Sequence, residues 1–312
     1  MITLVLGGDV TVPARTLLPA AFARLNPLLE GADVRFANLE GPIDAAAAGA
    51  LQSTGIDVVA IANDAPQPPA AAMATLGVLD HAGIAHCGAG ADLDAAHAPA
   101  VLERSGGQVA FLAYTSLRSP AQVAQPDAPG VAQAFATTAY QPDPRVGEIP
   151  GRPPLVRTAP VPEHLDRLVA DIQRAKGAHD HVVVSMHWGL PGAELTEYQV
   201  TYGRAAIDAG ADLVAGHGSH TIQAVEVYRG RPILYGLGNL VSDRPDGLLA
   251  GCMLGDEPRL ELIPVRRNAD GECEPLAGDE ADVVLRYVAE VSAARSAKVT
   301  VQSGIASIAV GA

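Results

Sequence analysis

His187-Trp188-Gly189, Gly216-His217-Gly218-Ser219-His220 and Leu237-Gly238-Asn239 hold the residue types best suited to chemistry in this chain. Val182-Val183-Val184-Ser185-Met186 runs directly into His187, and Asp212-Leu213-Val214-Ala215 leads to His217. Short apolar runs rich in valine read as buried strands. The imidazoles should therefore line one edge of a sheet. Neutral imidazole is the commonest side-chain ligand for zinc, iron and related metals. Metal-dependent chemistry is the leading expectation.

The N-terminal third repeats the pattern with acids and amides. Ile2–Leu6 ends at Gly7-Gly8-Asp9, Val34–Ala37 at Asn38-Leu39-Glu40, and Val58–Ile61 at Ala62-Asn63-Asp64. In open α/β sheets, ligands bind beyond the carboxyl ends of strands. A pair of metals needs a bridging carboxylate with nitrogen and oxygen ligands on either side. Asp9 and Glu40 suit bridging or terminal positions, while Asp64, His187, His217 and His220 suit terminal ones. Asn38, Asn63, Trp188 and Asn239 are the candidates for holding substrate, and His86, Tyr114 and Glu194 for moving a proton. Each has a plainer reading. Asp9 could cap a turn or helix, Asn63-Asp64 before Pro66 could form an Asx-turn, and His187 could pack against Trp188.

These residues need a scaffold in which strands alternate with helices. Ala14–Leu29, Ala70–Ala82 and Tyr198–Ala209 have helical spacing, and Gly83 and Gly210 supply C-terminal stops. Leu165, Leu168, Val169 and Ile172 mark one apolar helix face, with Pro162 in its first turn. Val109–Ala113 is a further strand, and Val225–Tyr228 pairs with Ile233–Leu237 around Arg229-Gly230-Arg231. The pattern predicts an α/β layered fold. We expect a single domain over 1–312, with a Pro/Gly-rich flap at about 119–162 and a less patterned extension at about 257–312.

Composition narrows the partners. With 21 Lys and Arg against 35 Asp and Glu, the net charge is −14. No basic footprint exists for phosphate backbones or anionic membranes, so neither nucleic acid nor membrane is an expected partner. Cys87, Cys252 and Cys273 are scattered, without the CxxC spacing of a zinc knuckle. No signal h-region or membrane span is visible, and a cytoplasmic protein is expected. Homo-oligomerisation is left open. The glycines of Gly7-Gly8-Asp9 do not form GxGxxG, which argues against a dinucleotide site.

The motifs resemble a known family. Gly8-Asp9, Asn38-Leu39-Glu40-Gly41-Pro42, Ala62-Asn63, His187-Trp188-Gly189, Ile207–Asp212, Gly216–His220 and Leu237-Gly238-Asn239 look like the CapA, or poly-γ-glutamate synthesis, family. The resemblance spans roughly 1–245. It implies a four-layer α/β/β/α sandwich of the calcineurin-like metallophosphoesterase type, with metal ligation by Asp9, Glu40, His187 and His220. Two departures stand out. Members usually read Ala-Asn-Asn-His where this chain has Ala62-Asn63-Asp64-Ala65. Asp64 can still ligate, but Ala65 cannot donate a proton as the family's histidine would. The usual His-Pro-His becomes His217 and His220 separated by Gly218-Ser219. The acid usually following His-Trp-Gly is also displaced, with Glu194 or Glu197 as replacements.

Together these features predict a metal-dependent hydrolase using a metal-activated water on an amide of γ-glutamyl type or on a phosphoester. The cofactor would be divalent cations, two of them, as manganese, zinc or iron. The substrate would be a small molecule, peptide or polymer containing glutamyl units. Two alternatives remain: a non-hydrolytic accessory or binding protein in capsule-type polymer synthesis, and a soluble biosynthetic enzyme, such as a cyclase or amide-handling enzyme, on the same scaffold.

Overall fold

The structure, a computed structural model, describes residues 1–11, 18–64, 68–117, 120–242, 246–255 and 258–311. Side chains of the Gly107–Thr115 strand alternate between two cores. Val109, Phe111 and Ala113 join one apolar cluster, whereas Ala110, Leu112 and Tyr114 join another. Such alternation follows from the two-residue repeat of a strand. It requires this sheet to be covered on both faces.

One face meets a second sheet. Phe36, from the Val34–Glu40 strand, stacks on Phe111 with ring centroids 5.6 Å apart. A pair of this kind contributes about 0.5–1.5 kcal/mol beyond its buried area. The other face meets the helices Pro162–Ala178 and Glu197–Asp208, through Leu168, Ile172, Tyr202 and Ala206. The helices Ala45–Ser53 and Pro69–Ala82 bury Leu51 and Leu79 against the first sheet. The layers are therefore helix, sheet, sheet, helix, the sandwich implied by the resemblance.

Among the described residues one sheet has ten strands and the other six. In the first, Ile2–Thr11, Val34–Glu40, Val58–Ala60 and Ala85–Cys87 run parallel in that spatial order. In the second, Gly107–Thr115, His181–His187 and Leu213–His217 run parallel side by side. Parallel strands finish at the same edge of their sheet. Asp9 pairs with both Asn38 and Asn239, and His187 with both Thr115 and His217. This register brings the chemistry-bearing residues to one end of the sandwich.

Several elements differ from expectation. The helix expected over 14–29 is observed as two short helices, Leu18–Phe22 and Asn26–Leu29; residues 12–17 lie outside the described residues. Pro27 lacks an amide proton to donate into a preceding turn, so it sits at the start of the second helix. Within the 119–162 segment, Ala136–Gln141 and Leu155–Pro160 pair as an antiparallel hairpin. That hairpin packs on the Glu197–Asp208 helix, where Glu197 accepts from Arg157 at 2.7 Å and from the Thr158 amide at 2.9 Å. Arg259–Arg267, Val299–Gln302 and Ile305–Ala309 extend the first sheet, and Gly278–Ser292 is a helix. Among the described residues, no helix is long and apolar enough to cross a membrane.

Candidate metal centre

Asp9 and Glu40 come from the first sheet, and His187 and His220 from the second sheet and its following turn. Asp9 is fully buried, and the Asn38 Nδ2 donates to its Oδ1 at 2.9 Å. His220 Nδ1 lies 3.2 Å from Asp9 Oδ2, while its Nε2 lies 4.0 Å from Glu40 Oε1. His187 Nε2 lies 3.4 Å from the same Glu40 oxygen and 3.5 Å from Asp64 Oδ1. Two groups result. Asp9, Glu40 and His220 each bring a ligand atom within 4.8 Å of the others, and so do Glu40, Asp64 and His187. Glu40 belongs to both groups.

Close backbone approach makes this possible. A Cβ on Gly8 would sit 2.1 Å from the Gly238 carbonyl oxygen, yet the Asp9 amide must donate to that oxygen at 3.0 Å. A Cβ on Gly218 would sit 2.6 Å from His187 Cε1, and its φ of +87° favours glycine independently. The small residues around the histidines therefore admit the imidazole rings.

Whether divalent cations suit the cluster can be judged from its unsatisfied atoms. Asp9 Oδ2, Asn38 Oδ1, His187 Nδ1 and both ring nitrogens of His217 are buried without a hydrogen-bond partner. Buried polar atoms are nearly always paired, so such a concentration needs a reason. Carboxylate and imidazole donors in these groups match manganese, zinc or iron. The residues present fit the ions.

The electrostatics agree. Burial would raise the Asp9 carboxyl, but the His217 and His220 imidazoles outweigh it and hold the group well below the usual carboxylate range. Asp9 pushes His220 up to about 9 against its own desolvation, with Glu40 and Asn239 adding to the rise. Positive charge is stabilised at this end of the sandwich in an otherwise acidic protein.

Other expected site residues fall into different places. His217 is in neither three-residue group. Its Nδ1 is 3.5 Å from Asp9 Oδ1 and its ring lies 5.8 Å from Phe36, so it abuts Asp9 from the core side. Asn38, Asn63 and Asn239 are all buried. Asn63 Nδ2 donates to the Leu39 carbonyl at 2.6 Å, and Asn239 Nδ2 to the His220 carbonyl at 3.2 Å. Trp188 is corrected from a substrate contact to a packing residue. It is fully buried, stacks on Tyr235, and donates its indole N–H to the Tyr235 carbonyl at 2.8 Å.

Two of the expected proton donors, Tyr114 and His86, are engaged by other side chains. Tyr114 points to the helix side of its sheet, where its hydroxyl donates to Asp171 at 3.3 Å. His86 pairs with Asp80 at 3.0 Å. Glu194 is exposed and, among the described residues, has no hydrogen-bond or ion-pair partner; Glu197 is occupied by Arg157. Ala65 lies outside the described residues.

Sequence reasoning missed the residues that hold the turn after His187. The Ser116 amide donates to the His187 carbonyl at 2.9 Å, and the Gly189 amide to the Tyr198 hydroxyl at 2.7 Å. Ser116 Oγ and Tyr198 OH lie 3.0 Å apart. Gln223 Nε2 donates to the carbonyls of Leu190 and Gly192, at 3.2 and 2.9 Å. Thr11 Oγ1 donates to Glu40 Oε2 at 3.2 Å. Strand parity alone could have found Thr11, two residues beyond Asp9.

A layered α/β protein with acids and histidines gathered at the strand ends is thus defined by the geometry. Residues 3–244 match the family described as bacterial capsule synthesis protein PGA_cap, and the chain belongs to that family. A probable polyglutamine synthesis accessory protein of Mycobacterium tuberculosis is 34% identical over 198 residues, 63% of this chain and 47% of that protein. The PGA biosynthesis protein CapA of Bacillus subtilis is 43% identical over 74 residues, 23% of this chain and 20% of that protein. The match to the mycobacterial relative thus spans about half of its length, 47%. A solved phosphatase of Mycoplasma pneumoniae overlays with a TM-score of 0.48 at 13% identity, covering 88% of this chain and 92% of that one. That likeness is too distant to inform the chemistry.

Proposed function

We propose that this member of the capsule-synthesis family is a metal-dependent hydrolase acting on an amide of γ-glutamyl type or on a phosphoester. One observation carries the reading: two ligand groups share Glu40 at the joined edges of the two sheets. Asp9, Glu40 and His220 would hold one divalent cation, and Glu40, Asp64 and His187 a second, as manganese, zinc or iron. Such ions acidify water near neutral pH and polarise a carbonyl or phosphoryl group.

The chain's own residues orient this machinery. Asn38 fixes the Asp9 carboxylate, Asn239 the His220 ring, and Asn63 the backbone leading to Glu40. Tyr114 and His86 are engaged elsewhere, Ala65 has no proton to give, and loss of a general acid typically costs about 10²–10⁴-fold in rate. Turnover should therefore depend steeply on leaving-group acidity.

Metal analysis of the purified chain, with assays on poly-γ-glutamate and bis(p-nitrophenyl) phosphate, tests the proposal. Two ions per chain and metal-dependent turnover are expected, with Asp9→Asn falling to one ion and losing turnover. A chain that takes up no metal and turns over neither compound overturns it. The word "accessory" in the mycobacterial relative's name favours a second reading, a non-hydrolytic role in polymer synthesis. Poly-γ-glutamate bound but never cut would select it.

A further inference from the structure

A pocket of about 430 Å³ opens beside the metal cluster, with His220 in its lining. Thr221 and Ile222 continue that wall, while Val283, Val284 and Tyr287 of the Gly278–Ser292 helix form the opposite one. We propose that this pocket is the subsite for an apolar substituent, aryl or branched alkyl, of the substrate reacted at the cluster. The proposal rests on the function given above, because that function supplies the reacting centre.

Position is the first support. His220 belongs both to the Asp9–Glu40 group and to the pocket lining, so a molecule seated in the pocket adjoins that group. Chemistry is the second. Ile222, Val283 and Val284 offer hydrocarbon, and Val283 is left 59% exposed. The acidic side chain in the lining, Asp246, is already engaged by Arg266 at 2.6 and 3.3 Å. Among the described lining residues there is no Lys or Arg to receive the free carboxylate of a glutamyl side chain. The pocket thus selects an apolar group, while the metal cluster handles the polar, reacting end.

The pocket is also preformed. The Tyr287 hydroxyl donates to the Ile222 carbonyl at 3.1 Å, and the Val225 amide to Ser292 Oγ at 2.9 Å. These bonds tie the helix to the strand that follows His220. Ala281, Leu285 and Val288 are buried in the core, which fixes the orientation of the helix that carries Val283. A cavity of about 150 Å³ accepts benzene, so 430 Å³ accommodates two fused rings. The family match ends at residue 244, before this helix begins. The metal cluster therefore lies in the matched part of the chain, and one wall of the selecting pocket lies outside it.

The probe is 1-naphthol, presented to the full chain loaded with Mn²⁺ or, as a diamagnetic control, Zn²⁺. Binding is read by ligand-observed NMR, by methyl shifts of labelled valines, and by Mn²⁺-induced broadening of the naphthol signals. We expect binding that shifts the Val283 and Val284 methyls, survives Val283→Ile, and weakens about 10-fold or more in Val283→Glu, the lower end of what a mismatched apolar pocket costs. Val283 is exposed enough for both variants to fold. Absence of binding, or binding indifferent to Val283→Glu, overturns the pocket. Broadening by Mn²⁺ that disappears in Asp9→Asn, with naphthol still bound, supports adjacency to the Asp9–Glu40–His220 group. Val283-dependent binding to a chain that takes up no metal overturns the hydrolase reading while leaving the apolar pocket standing.

Discussion

Asp9 and Asp171 are both carboxylates buried beside histidine, yet their surroundings are opposite. Asp171 sits between sheet and helix and receives His97 Nδ1 at 2.7 Å, Tyr114 at 3.3 Å, Arg167 at 3.2 Å and Arg174 at 3.3 Å. Asp9 receives one side-chain hydrogen bond, from Asn38, and its Oδ2 has none. A buried carboxylate surrounded by donors is a structural tie. One set among imidazoles and further carboxylates, with a single amide donor, has the surroundings that the proposed cation site requires. Composition alone does not separate the two, since each contains histidine, aspartate and near-complete burial.

The sharpest break in this comparison is His187→Ala. It should abolish metal uptake by the Glu40–Asp64–His187 group and lower activity by more than the roughly 10–100-fold that outer partners of a metal site cost. Metal analysis and steady-state rates check this. Asp171→Ala should instead cost about 1–3 kcal/mol of stability, because buried His97 and Tyr114 lose their acceptor. Denaturant midpoints should fall while metal content per folded chain stays constant. A loss of metal there would collapse the distinction.

Chelation should act on Asp9's side alone. Removing ions present at about 100 times their dissociation constant should lower stability by about 2.7 kcal/mol. Calorimetry should show this decrement in the parent chain and a smaller one in Asp9→Asn, which keeps the Glu40–Asp64–His187 group. Asn38→Ala, which frees Asp9 Oδ1, should weaken metal affinity by about 10–100-fold without emptying the site. The smallest effect is expected from Tyr198→Phe. Losing the acceptor for the Gly189 amide should cost about 1 kcal/mol and leave metal stoichiometry unchanged. Thermal unfolding measures it.

Much of the architecture was legible because strands and helices carry local periodicity. The Val182–Met186 run predicted the strand that delivers His187, and Gly210 predicted the end of the preceding helix. The helix broken near Pro27 was less legible, because alanine-rich spacing outweighed one proline in the reading. In the site, Asp9, Glu40, Asp64, His187 and His220 were recognisable as strand-end residues of metal-binding type. Trp188 and Tyr114 lie at strand ends, but a strand-end position does not say which face of the sheet a side chain takes. Tyr114 and Thr115 are neighbours, but Tyr114 faces the helices while Thr115 pairs in register with His187.

The sequence by itself determined the kind of donor available and the strand ends that carry it. Those are properties of short segments, set by residue chemistry and hydrophobic period. Tertiary structure alone decided that Glu40 is shared, that His217 abuts Asp9 from the core, and that Val283 stands across a pocket from His220. Such contacts join residues far apart in the chain. They exist only once two twisted sheets and a late helix have packed, because packing selects among the directions that local sequence permits.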